Sequence, residues 1–137
     1  MNGGFDLLEH TADVGIRAWG DSLEGAFEQA GWGLAEVLGI RVPDDGQVRT
    51  VRATADDLGA LLVDFLNELL LLHETEEAAF ADIRVLRVSD AQLEANVLVR
   101  PLNGAPRGIP VKAAAFHQLS VDRSPNGRVE VRVYLDV

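Results

Sequence analysis

Cysteine is absent from this chain, which excludes disulfide bonds, thiolate catalysis and thiolate-bound zinc. It fits a reducing compartment, and a cytoplasmic location is expected. Basic residues are few, 12 against 22 acidic ones, for a formal net charge of −10. A surface of that sign repels phosphate backbones unless its cations are gathered on one face, so direct nucleic-acid binding is disfavoured. Eleven of the twelve are arginines, leaving Lys112 as the only lysine. Long apolar runs are missing too: all fall far short of the ~20 residues of a membrane span, so no membrane partner is expected. The N-terminal MNGGFDLLEH has neither the basic region nor the apolar stretch of a secretory signal, and no export is expected. Also absent are a G-x-S-x-G nucleophile motif and a convincing catalytic triad. The Gly/Pro-rich NGAPRGIP lacks the Lys and Ser/Thr of a phosphate-binding loop and reads as a flexible connection or partner-contact segment.

What is present suits one globular unit, residues 1–137, of α+β class with two helices and about six strands: 137 residues, 47% of them hydrophobic, can enclose a core. In EHTADVGIRAWG, residues 9–20, Val14, Ile16 and Ala18 alternate with Asp13, Gly15 and Arg17, the pattern of a half-buried strand with Asp13 facing away from Val14. A helix is predicted over about 22–38, capped by Asp21 or Ser22, with Glu24 three residues after Asp21 in capping-box spacing and Gly39 at its end. Its Gly25, Gly31 and Gly33 each cost ~1 kcal/mol relative to Ala, which predicts tight packing against a sheet.

QVRTVRATA reads as a strand, after which Asp56 is placed to cap the second helix, DLGALLVDFLNELLLLHETEE. Leu58, Leu61, Leu62, Phe65, Leu66, Leu69 and Leu72 form its main stripe; Val63, Leu70 and Leu71 lie elsewhere, so this helix should be covered on more than one side. Glu68 falls at the stripe's margin, where a half-buried carboxylate needs a partner. Strands follow near 79–89, 92–101 and 109–122, and RVEVRVYLDV ends the chain.

Between the last two strands SPNG makes a hairpin turn. A three-residue loop of Pro125, Asn126 and Gly127 pairs Val121 with Val131 and Leu119 with Val133, at the cost of Asp122 opposite Glu130. That register sets Asp136 opposite Phe116, on the polar face with Tyr134 and Lys112, and His117 beside Leu135. Asp136 and the terminal carboxylate of Val137 are then adjacent oxygen donors, and a third from Asp13 makes a set suited to a hard cation, Mg²⁺, Mn²⁺ or Ca²⁺. Solvated edge protection is the competing reading of these acids. His10 reads as a ligand or proton carrier, or as a hydrogen-bonded structural residue. His117 reads as a core imidazole and His73 as a helix-end residue. Lys112 is a candidate to contact a phosphate or pair with Glu68 or Asp136, with a plain surface lysine as the alternative.

HTADVGIRAWG, FLNELLLLHE, and VKAAAFHQL with the terminal YLDV, in this order and spacing, resemble the archease family across almost the whole chain. Ala115 and Phe116 stand where Thr and Tyr are common, and Val137 where Ile is common. The resemblance implies an SHS2-type α+β fold, one strand-helix-strand-strand module inserted in another. It implies a non-catalytic activator of an RtcB-type RNA ligase, in tRNA splicing or RNA repair, that promotes ligase guanylylation and multiple turnover and meets RNA only through the ligase. It also implies a metal cluster of Asp13, Asp136 and the Val137 carboxylate, with His10, Glu68 and Lys112 as candidates for ligase contact or site support. Two other classes compete: a metal-dependent hydrolase or nuclease, and a general chaperone or adaptor.

Overall fold

In the computed structural model, which describes residues 3–9, 13–43 and 45–137, the chain runs β1 (Gly4–Glu9), β2 (Asp13–Gly20), α1 (Leu23–Leu38), β3 (Gln47–Thr54), α2 (Leu58–Glu76), β4 (Ala78–Val88), β5 (Gln92–Pro101), β6 (Ala113–Arg123) and β7 (Val129–Asp136). One antiparallel sheet has the order β1-β2-β7-β6 and the other β3-β5-β4. Helix α1 packs on β2 and β4, and α2 on β6 and β3, so both helices lie between the two sheets. The buried side chains, among them Phe27, Phe65 and Phe80, form one continuous cluster.

The expected elements are present, with β1 as a strand the pattern did not reveal. In GFDLLE the apolar Leu7 and Leu8 are neighbours, which breaks the period of two, and at this sheet edge Leu7 stays exposed. Ser22, not Asp21, caps α1, accepting the Gly25 N–H at 3.0 Å, and Gly39 ends it in the left-handed conformation. Asp57, not Asp56, caps α2 through the Ala60 N–H at 2.8 Å, because the helix starts at Leu58 and the capping oxygen must come from the residue just before it. NGAPRGIP is tied down as well as exposed: Gly108 and Ile109 donate their N–H groups to the Leu38 and Val37 carbonyls, satisfying the end of α1.

Packing between sheets explains the glycines of α1. A Cβ on Gly33 would stand 2.9 Å from Ile16 Cγ2 of β2, and one on Gly31 3.2 Å from Leu69 Cδ1 of α2. On α2, Leu61, Leu62, Val63, Phe65, Leu66, Leu69 and Leu70 are buried, as two covering sheets require, whereas Leu71 is exposed. Strand β4 is an edge, and α1 supplies acceptors for it: Glu28 takes the Val85 N–H at 2.9 Å and Glu24 the Val88 N–H at 3.1 Å.

The hairpin loop forms as expected, with Gly127 at φ 91 and Val121 opposite Val131, and Asp122 does face Glu130. Beyond Ser120 the expected register fails. Ser120 pairs with Arg132 and Ala115 with Tyr134, so residues 116–119 all stand against Val133 in an enlarged bulge with Gln118 at φ 52. Ala113, not Phe116, therefore lies opposite Asp136, and Leu119 does not pair with Val133. Leu119 instead reaches α2, within 2.9 Å of where a Cβ on Gly59 would sit.

Two outcomes follow. Gly33→Ala gains about 1 kcal/mol of helix propensity but overpacks Ile16 at a cost of about 1–3 kcal/mol, so urea unfolding should show a net loss of stability; a raised midpoint would refute the tight contact. Burial raises the Glu28 carboxyl above its ordinary value of 4.5, opposed by the Val85 N–H. Between those two values the folded chain holds a proton that the unfolded chain has released, so stability falls as pH rises through the interval. In Glu28→Gln that slope should vanish. Glu94 acts oppositely and below 4.5: its hydrogen bond to Arg87, with the Arg87 and Arg52 charges, lowers its carboxyl, and that contribution is lost as pH falls through the lowered value.

Candidate functional site

Strand β2 begins and β7 ends at the same end of the four-stranded sheet, and the register sets Asp13 directly opposite Asp136. Side chains opposite each other in an antiparallel pair share a face, with Cβ atoms about 4.5–5.5 Å apart. That face is the one turned from the helices. Ile16, Ala18, Val131, Val133 and Leu135 are fully buried toward them, so Asp13, Arg17, Trp19, Glu130, Tyr134 and Asp136 fall on the outer face. The sheet carries two of the three implied carboxylates side by side, and Val137 is the next residue.

Further down the same face the acids are paired. Arg17 bridges Asp6 at 2.6 Å and Glu130 at 3.1 Å and lies 4.9 Å over the Trp19 ring. Among the described residues no arginine or lysine forms an ion pair with Asp136. Tyr134 sits between the two regions, buried on the outer face against Gly15, where a Cβ would come within 2.8 Å of its ring. The His117 ring meets it edge-on, with centroids 6.0 Å apart. His117 is thus an exposed residue of the bulge, not the core imidazole the simple register implied.

The remaining candidates separate. His10 lies outside the described residues. The Lys112 backbone N–H donates to the Asp136 carbonyl at 2.8 Å, which holds Lys112 at the site, but its exposed side chain pairs with neither Asp136 nor Glu68. Glu68 is half-buried on the β3 side of α2, beside Thr50, Val51 and Leu72, and makes no hydrogen bond or ion pair among the described residues. Its neighbour Asn67 faces β6 instead, accepting the Ala114 N–H at 2.8 Å and fixing the strand beside Asp136. Asn67 was missed; a polar residue inside an apolar helical run was the available signal. His73 is not a bare helix-end residue either: it is buried, with Nδ1 2.8 Å from the Ala78 carbonyl oxygen.

As a cation site the donors fit a hard divalent ion in type, since all are carboxylate oxygens. Among the described residues no group of three or more His, Cys, Asp or Glu side chains can hold a metal. Asp13 and Asp136 are two such donors, set opposite each other.

Fold and site define a small β/α/β protein with an acidic end on one of its two sheets. The Archease protein family (MTH1598/TM1083) matches residues 5–137, and the chain belongs to that family. It is 38% identical over 132 residues to "Protein archease" of Thermococcus gammatolerans, spanning 90% of this chain and 92% of that one. The solution structure of Methanobacterium thermoautotrophicum protein 1598 is 31% identical, covers 98% of this chain and 99% of its own, and superposes with a TM-score of 0.79. The crystal structure of an archease, possible chaperone, from Thermotoga maritima has the same fold, with a TM-score of 0.68 at 24% identity over 95% of this chain and 94% of that one.

Asn67→Ala leaves the part-buried Ala114 N–H without its acceptor, a loss of about 1–3 kcal/mol. Amide exchange at Ala114 and its strand neighbours should accelerate while the β3-β5-β4 sheet stays protected; unchanged protection at Ala114 would show that the bond does not hold β6.

Proposed function

We propose that this protein activates an RtcB-type RNA ligase, promoting guanylylation of the ligase histidine and repeated turnover, through the end of the sheet that carries Asp13, Asp136 and Val137. The carrying observation is the cross-strand placement of Asp13 opposite Asp136. Two like charges directly opposed destabilise a sheet modestly, so the arrangement favours whatever brings positive charge to it. Membership of the archease family supports the reading. So does the net charge of −10, which suits docking on a basic RNA-binding protein surface and disfavours direct capture of RNA.

In this reading Asp13 and Asp136, with the backbone carboxylate of Val137, hold Mg²⁺, Mn²⁺ or Ca²⁺. A hard cation there supplies charge to a phosphate-bearing centre and offsets repulsion between the carboxylates. The protein residues position. Regular strands fix both aspartates, Asn67 holds β6 in place, and the Lys112 N–H ties down the Asp136 backbone. In this reading no residue of this chain makes or breaks a bond.

Multiple-turnover ligation by an RtcB-type ligase, with GTP, Mn²⁺ and excess RNA ends, tests the proposal. The unmodified protein should restore turnover, and Asp136→Asn should abolish that effect while keeping a native circular-dichroism spectrum. Without divalent ions Asp136→Asn should be slightly more stable than the parent, by up to about 1 kcal/mol, because one of two opposed charges is gone. A fully active Asp136→Asn would sink the proposed role of the edge. It would favour a general chaperone or adaptor, for which the acids are dispensable; RNA hydrolysis by the protein alone would favour a metal-dependent nuclease.

A further inference from the structure

Phe116 is the most exposed of the large apolar side chains among the described residues, at 66% of its surface. Its position is held from both sides. Ala115 is paired with Tyr134, His117 stands edge-on to the Tyr134 ring, Gln118 adopts the left-handed conformation, and Leu119 is turned inward onto Gly59 of α2. A simple hairpin register would have needed none of this. Left-handed backbone at a residue other than glycine is uncommon and persists where surrounding contacts impose it. Here the contacts on either side turn one aromatic ring outward.

The bulge also adjoins the acidic edge. Ala113 is opposite Asp136, so Phe116 lies three residues further along β6, about 10 Å at ~3.3 Å per residue. An aromatic anchor held in place loses little freedom on binding and is the type of side chain that dominates protein interfaces. Its surroundings select among occupants. A second copy of this chain, docked symmetrically around Phe116, brings two acidic edges together, and a nucleic-acid base stacked on the ring brings its phosphates to them. Complementarity favours a protein surface with an apolar pocket rimmed by lysine or arginine.

We infer that Phe116, presented by the bulge at residues 116–119, is an apolar anchor that inserts into such a pocket on the protein partner, beside the contact made by the carboxylate edge. This rests on the reading that the partner is an RtcB-type ligase, and gives the two features separate tasks: Phe116 supplies affinity, and the carboxylates supply the activating charge.

The test titrates the full chain and its variants into the multiple-turnover ligation reaction. Phe116→Ala should raise the half-activating concentration about tenfold, the usual scale for truncating an aromatic anchor, and reach the parent's plateau at saturation. Phe116→Tyr, which keeps the ring, should stay within about twofold of the parent. Because the side chain is exposed, the thermal midpoint of Phe116→Ala should match the parent's, which separates lost contact from lost fold. Phe116→Ala with an unchanged half-activating concentration overturns the inference and leaves the ligase reading standing. Failure of the unmodified protein to stimulate the ligase overturns both. Gel-shift binding of RNA by the protein alone, weakened in Phe116→Ala, would put a base in place of the protein pocket and overturn the inference.

Discussion

Enclosing both helices between two sheets is the constraint from which the other features follow. A helix on a single sheet needs one apolar stripe, with solvent for its other face. Here α1 meets β2 on one side and β4 on the other, and α2 meets β6 and β3. The helices are therefore small or apolar around most of their circumference, and few of their positions, such as Glu36 and Glu74, reach solvent. Gly31 and Gly33 let α1 approach α2 and β2 more closely than alanine would. Three polar side chains that face a sheet take backbone N–H groups that would otherwise be left without acceptors: Glu28 and Glu24 at the edge of β4, and Asn67 at the start of β6. These bonds tie each helix to a particular strand, so they set register between layers that apolar contact alone leaves free to slide.

The same architecture leaves the outer faces of the sheets open. Antiparallel neighbours bring the start of β2, the end of β7 and the start of β6 to one end of the four-stranded sheet, so Asp13, Asp136 and Ala113 stand in a row. Two regular strands position the aspartates, and side chains on strands backed by a packed core are held more closely than side chains on loops. The placement of Asp13 at the head of an apolar strand has a structural reason. The buried Ile16 and Ala18 lock the strand onto α1, and the alternation of strand geometry then turns Asp13 to the opposite face.

Periodicity made both helices, the β2 strand and the hairpin loop readable, because each buries a face at a fixed repeat. The signal failed where the repeat itself is broken. Strand β1 holds Leu7 and Leu8 in succession at an edge, so neither alternation nor full burial marks it. The bulge in β6 absorbs three additional residues between Ala115 and Ser120, and hydrophobic alternation carries no information about an insertion held by contacts with Tyr134 and α2. Counting back from the turn therefore reached Val121 correctly and misplaced everything beyond Ser120. The carboxylate edge survived that error because the partner of Asp136 that matters is Asp13 on β2, and the pairing of β2 with β7 has no bulge. On α2 the wheel placed Glu68 at the margin of the apolar stripe, which was right, but direction along the wheel does not say which strand will lie there. That strand is β3, and Asn67, one position along, faces β6.

Opposed carboxylates have an energetic meaning independent of the bound species. Like charges directly opposite each other cost a sheet stability, so a sheet that sets Asp13 against Asp136 favours a ligand that brings positive charge between them. Binding at such an edge is driven partly by relief of repulsion, so it discriminates by charge more than by shape. An excess of ten negative charges acts in the same direction at longer range, raising the encounter rate with a basic surface and falling off with salt. Neither effect holds a complex together for long, since charge attraction between solvated surfaces mainly sets the rate of approach. An exposed apolar ring three residues along β6 from Ala113 would act on the other side of the equilibrium, because burying it slows dissociation. In the proposed complex, separating the two would let the charged edge respond to a change of charge on the partner without the complex falling apart at each change.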